Sequence, residues 1–342
     1  MFSKKSKIVG ALVLSLNLPF TICNAGEAYE SPVYSFALWG DMPYAKANDA
    51  PKISALINNI NASNVAFTVF DGDIKDGSSL CEDSQYANAI TYFNTFKKPM
   101  VYIPGDNEWT DCHRTNNGGY NNLERLTHIR QVMFNTPFSF GQHKLKLEHQ
   151  GWLAGEYAEN TRWTRGKVVF VGLNIPGSNN NKVNSDSECT SKSARTLADC
   201  SADNTEYRAR DAANIEFLKQ SFQLAKNKKA KGIMITIQGD PGFDLPETET
   251  VNERTLPGVD GYSNFLAALV EETNTFGGEV VLVHGDVHFF KIDKPLVDQA
   301  HLVKNFTRVE TFGSPNVHWI KVNVNPYARN LFSFEPMLVP GN

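Results

Sequence analysis

FTVFDGDIKD, residues 67–76, changes character within one residue: an apolar, β-rich run stops at Phe70 and an acid-bearing glycine turn follows. A buried parallel strand reads as such a continuous apolar run, and the turn after it sets the next side chain at the carboxyl edge of the sheet. Three other stretches repeat the pattern: FALWGDMPY (36–44), VYIPGDNEW (101–109) and VLVHGDVHF (281–289). Together they place Gly-Asp at Asp41, Asp73, Asp106 and Asp286. Four such ends bring four carboxylates to one crevice. Bare carboxylates repel one another and burial raises their pKa, so a crevice of this composition points to divalent cations.

The segments around these turns alternate between strand and helix. Residues 33–39, 65–70 and 100–103 read as strands, with helices expected over 47–60 and 85–96; Ile53, Leu56, Ile57 and Ile60 fall at helical spacing. This β-α-β-α-β order argues a parallel sheet with right-handed crossovers. Further helices are expected over 123–134, 211–226 and 262–273, and further strands over 168–173, 232–237 and 279–283. Residues 175–208 form a polar insertion too long for a plain connector and read as a surface excursion. The tail, 307–334, carries three alternating runs and reads as an antiparallel strand set.

Bulk properties bound the partners and the compartment. The chain has 342 residues, 41% of them hydrophobic and 20% charged, and a formal net charge of −4, so no basic excess favours nucleic acid. Lys4, Lys5 and Lys7 precede an apolar stretch from Ile8 to Ile22, and Cys23-Asn24-Ala25 supplies a small-x-small cleavage site. Residues 1–25 therefore read as a secretory signal, and 26–342 as one domain that is secreted or periplasmic. The apolar stretch is short for a membrane span and contains Asn17 and Pro19, and Ile22 disfavours a lipid anchor at Cys23, so no stable membrane anchor is expected. Removal of the signal leaves Cys81, Cys112, Cys189 and Cys200. An even count in a secreted chain implies two disulfides, for which we expect Cys81–Cys112 and Cys189–Cys200 among the three possible pairings. No C-x-x-C spacing supports a zinc site instead.

In order along the chain, the acidic turns resemble the signature blocks of the calcineurin-like metallophosphoesterases, the purple-acid-phosphatase-like superfamily. The blocks are Asp41-Met42-Pro43, Gly72-Asp73-Ile74-Lys75-Asp76, Gly105-Asp106-Asn107-Glu108, Gln238 in ITIQGDP, and Gly285-Asp286-Val287-His288. The resemblance spans residues 35–288 and implies an α/β fold, a four-layer α/β/β/α sandwich of mixed sheets with flanking helices. It also implies metal ligation by Asp41, Asp73, Asp106, Gln238, Asp286 and His288, with Asp73 bridging, and phosphate-ester hydrolysis by metal-activated water. The family pattern has histidine where this chain has Pro43, Asn107, Gln238 and Asp286. An oxygen-rich set favours Mn²⁺ or Mg²⁺, with Ca²⁺ as a further candidate and one or two ions held. The family's proton donor falls at Asn107, which cannot deliver a proton; Glu108, His284 and His113 are the candidates to replace it.

Each of these residues also has a structural reading. Gly-Asp is common in turns, Asp76 can cap a helix, Gln238 can be a plain buried amide, and His284 can hydrogen-bond behind the site. Tyr44 and Trp109 either line a cleft or cover the sheet edge; Lys75, Arg114 and His113 are the nearest cations for a phosphate. The expected activity is hydrolysis of a phosphate-ester small molecule or other phosphorylated substrate. The rival expectation, which the missing imidazoles favour, is a catalytically impaired binding module that keeps a structural cation. An aspartyl-nucleophile phosphatase would need a second Asp where Pro43 stands.

Overall fold

The structure, a computed structural model, describes residues 1–2, 31–44, 49–245, 248 and 250–342. Two units divide between Ser31 and Pro32. The expected signal peptide lies outside the described residues but for its first two. In the second unit the strands β1 (Tyr34–Trp39), β2 (Thr68–Phe70) and β3 (Met100–Tyr102) are parallel, with Ala37 opposite Thr68 and Val69 opposite Val101. The helices α1 (Asp49–Ala62) and α2 (Asp83–Phe93) make the crossovers, and α3 (Asn122–Met133) follows β3. This is the alternation expected from the apolar periods.

The rest of the chain builds a second sheet and completes the first. Strands β4 (Glu148–His149), β5 (Thr161–Arg165) and β6 (Val168–Gly172) pair antiparallel in turn; β7 (Gly232–Thr236) and β8 (Glu279–His284) continue from β6 in parallel. The insertion holds a single turn α4 (Gly177–Asn180) and a short helix α5 (Asp186–Thr190), after which α6 (Leu197–Asn227) and α7 (Ser263–Thr275) cover the sheet. Strand β9 (Lys291–Asp293) precedes a ribbon of β10 (Val297–Asp298) and β11 (His301–Leu302). Then come β12 (Phe306–Glu310), β13 (Trp319–Val324) and β14 (Phe332–Met337). The first sheet runs β14-β13-β1-β2-β3 and the second β4-β5-β6-β7-β8-β12-β9.

Burial explains why the central strands are apolar without alternation. Side chains of a strand point to opposite faces in turn, and here both faces are covered. Ala37, Trp39, Phe70 and Tyr102 pack against Ile53, Leu56, Tyr86, Phe93 and Leu126 of the first helical layer. Their neighbours Phe36, Leu38, Phe67, Val69 and Val101 meet Trp163, Phe170, Met234, Val281 and Val309 of the other sheet. The outward face of that sheet, with Val169, Ile233, Ile235 and Leu282, packs on Phe217, Phe222, Phe265 and Leu269 of α6 and α7. Helix, sheet, sheet and helix form the four layers.

Two expectations need correction. The tail is not one antiparallel set: β12 runs parallel to β8 in the second sheet, while β13 and β14 pair antiparallel on the edge of the first. The insertion is not merely an excursion, because α6 starts inside it, capped by Thr196 and Asp199, which bond each other's backbone N–H. The buried stripe of its first turns is Cys200, Asp203, Tyr207, Arg210 and Asn214. That stripe has helical spacing but is mostly polar, so hydrophobic periodicity cannot register it.

Both expected disulfides are present, Cys81–Cys112 closing a span of 31 residues and Cys189–Cys200 one of 11. Loop-closure entropy predicts that serine replacement of the first pair costs roughly 3–4 kcal/mol and of the second about 3 kcal/mol. Urea titration of the two double variants checks both the losses and their order.

Candidate metal centre

Every acid-bearing turn lies at the carboxyl end of a parallel strand. Asp41 follows β1, Asp73 follows β2, Asp106 follows β3 and Asp286 follows β8, so the two sheets bring their ends to a common crevice. Three of these acids and His288 hold left-handed backbone, with φ of 51° at Asp41, 64° at Asp73, 75° at Asp286 and 71° at His288. Such conformations are uncommon outside glycine and are best tolerated by Asp and Asn. Clustered at one sheet edge, they mark a site whose geometry overrides local preference.

The glycines serve neighbouring turns as well as their own. A Cβ on Gly105 would overlap the Asp73 carboxylate, and one on Gly285 would overlap that of Asp41. The close approach is stitched across the turns: the Asp41 N–H donates to Gly72 O at 2.8 Å and the Asp286 N–H to Asp41 Oδ1 at 3.0 Å.

Asp41, Asp73 and His288 form a close group, with one ligand atom from each lying within 4.8 Å of the others. The His288 Nδ1–H faces the Ser314 carbonyl at 2.9 Å, which directs the Nε2 lone pair toward Asp41 Oδ1, 3.4 Å away. Asp41 Oδ2 is buried without a hydrogen-bond partner among the described residues. The Tyr44 hydroxyl closes this group, donating to Asp73 Oδ2 at 3.1 Å and lying 2.9 Å from His288 Nε2. Tyr44 therefore faces the acids and does more than cover the sheet edge.

Asp106 and Asp286 form an adjoining pair joined by Gln238, whose Nε2 reaches Asp106 Oδ1 at 3.2 Å and Asp286 Oδ1 at 3.4 Å. Its Oε1 accepts the Gly177 N–H at 2.6 Å and the Asp106 N–H at 3.2 Å. Backbone donors thus fix the amide with its oxygen turned away from the carboxylates. Here Gln238 is a donor between two acids.

Glu108, Asn107 and His284 each hold a place in or behind the turns. Glu108 is fully buried, and its Oε1 accepts from Gly105 N–H at 2.7 Å, the Tyr102 hydroxyl at 2.9 Å and Asp73 N–H at 3.2 Å. It staples the second turn to the third. Asn107 clamps Asp73, donating its N–H to Oδ1 at 3.2 Å and its side-chain amide to Oδ2. His284 is fully buried behind the turn, with Nδ1 3.0 Å from Gly285 O, and burial holds its pKa down. Asp76 caps its own turn by accepting from the Ser78 and Ser79 N–H groups, both at 2.8 Å.

Electrostatics show what the crevice lacks. Burial first, and then the charges of Asp106 and Asp41, push the Asp73 carboxyl well above the carboxylate range. Burial and Asp106 do the same to Asp286, and burial and Asp41 to Asp71. Burial pushes Glu108 up to about 7. Lys75 is buried nearby, but its Nζ is bound to Asp76 O at 2.9 Å and burial lowers its pKa. Desolvating an uncompensated carboxylate costs several kcal/mol, so a divalent cation fits this donor set.

Three participants escaped the sequence reading. Asp71 is buried, with Oδ2 accepting from the Thr311 hydroxyl at 2.8 Å; its signal was the other acid of the DGD run. Ser178 bridges Asp106 Oδ2 at 2.8 Å and Asp111 Oδ1 at 2.7 Å. Asp111 in turn pairs with Arg114 at 2.5 Å. Neither Ser178 nor Asp111 sits at a strand end, so no local pattern announced them.

The glycine packing yields a test. Gly105→Ala and Gly285→Ala are expected to cost about 1–3 kcal/mol each through overpacking. Gly277→Ala, whose Cβ would meet nothing within 4 Å, should stay within about 0.5 kcal/mol of the parent. Urea midpoints of the three variants decide it.

No family model matches the chain, and no curated protein matches it. Among solved structures it is similar to a dimetal phosphatase from Danio rerio, at 10% identity and TM-score 0.48, over 90% of this chain and 100% of that one. It is also similar to the purple acid phosphatase PPD1 from yellow lupin seeds, at 12% identity and TM-score 0.49, over 90% of this chain and 52% of that one. A third is GAP50, the anchor in the inner membrane complex of Plasmodium, at 14% identity and TM-score 0.43, over 90% of this chain and 89% of that one. At such values these likenesses assign no activity. On its own layer order the chain has a four-layer α/β/β/α fold, with an acid-bearing turn after each of four parallel strands.

Proposed function

We propose that this chain is a secreted or periplasmic phosphoric ester hydrolase that depends on a divalent cation. The observation that carries the reading is the Asp41–Asp73–His288 group, with its imidazole lone pair directed inward and a buried carboxylate oxygen left over. Asp41, Asp73 and His288 would hold one ion, and Asp106 and Asp286 would share a second with Asp73. A bound ion of this kind polarises a phosphoryl oxygen and lowers the pKa of water. Oxygen donors outnumber imidazole, which favours Mg²⁺ or Mn²⁺.

The protein's own groups position the rest. Asn107 and Glu108 hold the Asp73 turn, Gln238 and Ser178 orient Asp106, and Tyr44 keeps a hydroxyl against Asp73. Arg114 is 38% exposed at the rim, pairs with Asp111, and lies 3.3 Å from the Ser178 hydroxyl. Its planar fork of donors suits a phosphate group.

A second reading has one specific observation in its favour. Asn107 cannot deliver a proton, and two of its three candidate replacements, Glu108 and His284, are fully buried. On that ground the chain would be a binding module with a structural cation. Activated aryl phosphates need little help at the leaving oxygen, so they separate the two readings. The hydrolase reading expects metal uptake from Mn²⁺ and turnover of an aryl phosphate, with Asp73→Asn lowering both, the rate by more than about 100-fold. Elemental analysis and initial rates are the measurements. Metal uptake without turnover by the parent protein would establish the binding module.

A further inference from the structure

Beside the acid crevice lies a cavity of about 470 Å³, within the range of small-molecule sites. It begins one hydroxyl away from the acids: Ser178 lines it and also touches Asp106 Oδ2 at 2.8 Å. One wall is the 3₁₀ turn Thr110–His113 with Arg114, and the other comes from the insertion. Backbone bonds join the walls, from Ala194 N–H to His113 O at 2.9 Å and from Thr115 N–H to Lys192 O at 3.0 Å. Each wall also carries a disulfide, at Cys112 and at Cys189. The cavity is preformed and braced.

Its lining is polar, and its cations are held from behind. Arg114 pairs with Asp111, Arg195 with Asp203 at 2.9 Å, and Lys182 with Asp260. Asp203 and Asp260 do not line the cavity; Asp111 and Glu188 do, and Asp111 is buried against Ser178 and Arg114. Pairing uses only part of the donor capacity of two guanidinium forks and an ammonium. Burial first, and then the charges of Arg195 and Arg114, hold His113 down to about 3, so this imidazole is neutral. Val183 is the lone apolar side chain among the lining residues.

We propose that this cavity receives the part of the substrate remote from the scissile phosphate, and that this part carries a second anionic group, carboxylate or phosphate, taken by Lys182 and Arg195. The location of the scissile group rests on the hydrolytic reading above; the anion site itself does not. Specificity for a doubly anionic small molecule is thereby assigned to the disulfide-bearing insertion.

The test uses probes that cannot be hydrolysed, titrated calorimetrically into the Mn²⁺-equilibrated protein: a four-carbon alkyl bisphosphonate, the matching phosphonocarboxylate and the matching monophosphonate. The bisphosphonate or the phosphonocarboxylate is expected to bind at least about tenfold more tightly than the monophosphonate, and which of them does so tells phosphate from carboxylate. Lys182→Gln and Arg195→Gln should each bring the three affinities to within about threefold of one another. Lys182 is partly exposed, so its variant keeps the test decisive if the buried Arg195 variant unfolds in a melting scan. Equal affinities in the parent, or a preference that survives both substitutions in folded protein, overturns the proposal. Failure of the parent to hydrolyse an aryl phosphate overturns the hydrolytic reading alone, because these probes report binding without turnover.

Discussion

Packing carboxylates against one another out of water is the constraint from which the rest of this structure follows. Asp41, Asp71, Asp73 and Asp106 are all buried, and Asp286 is partly buried at the same edge. Each is placed by a strand end that cannot relax, because the strands behind it are buried on both faces. Repulsion among such groups opposes folding unless counter-charge or hydrogen bonds offset it. The turns supply part of the answer through Asn107, Gln238, Ser178 and Tyr44, each aiming a donor at a carboxylate. A cation would supply the remainder most directly, and under the proposed function its binding would be linked to folding.

The same constraint explains which features were legible in the sequence. A carboxylate brought within contact of a neighbouring turn requires a residue without a side chain there, so Gly-Asp recurs at strand ends and can be read without coordinates. The apolar runs before those turns were legible because both their faces are buried. What stayed hidden lacks a local period. The buried stripe of α6 is polar in its first turns, and β12 carries Arg308 and Glu310 inside the sheet, so neither displays its environment. Ser178 is brought to Asp106 by tertiary packing alone.

Resemblance to a family was informative about positions and less so about roles. The block positions do converge, yet the side chains substituted there act differently from simple stand-ins. Gln238 takes an imidazole's place as a hydrogen-bond donor between acids, and Asn107 takes another as a clamp on Asp73. At the first block Tyr44, one residue beyond Pro43, is the group that faces Asp73 and His288. A motif match fixes where the backbone delivers a side chain; the hydrogen-bond inventory of that side chain decides what it does there.

The run Ser178–Asn181 keeps left-handed φ at every residue, between 50° and 64°. Four such residues in succession cost roughly 1–2 kcal/mol each, which Asn softens by local hydrogen bonding. Here every side chain is bound: Asn179 to Asp260 and Gly261, Asn180 to Gly261 and Arg210, Asn181 to Glu206, and Ser178 to Asp106 and Asp111. This reversed turn is therefore a shared joint, with one end set against the acids and the other leading into Lys182 and the cationic wall. Natural variation in the two sites cannot proceed independently, since any change that uncoils the joint displaces both. Divergence in selectivity would have to come from residues beyond it, on the disulfide-bearing arm, where the backbone is free of that obligation.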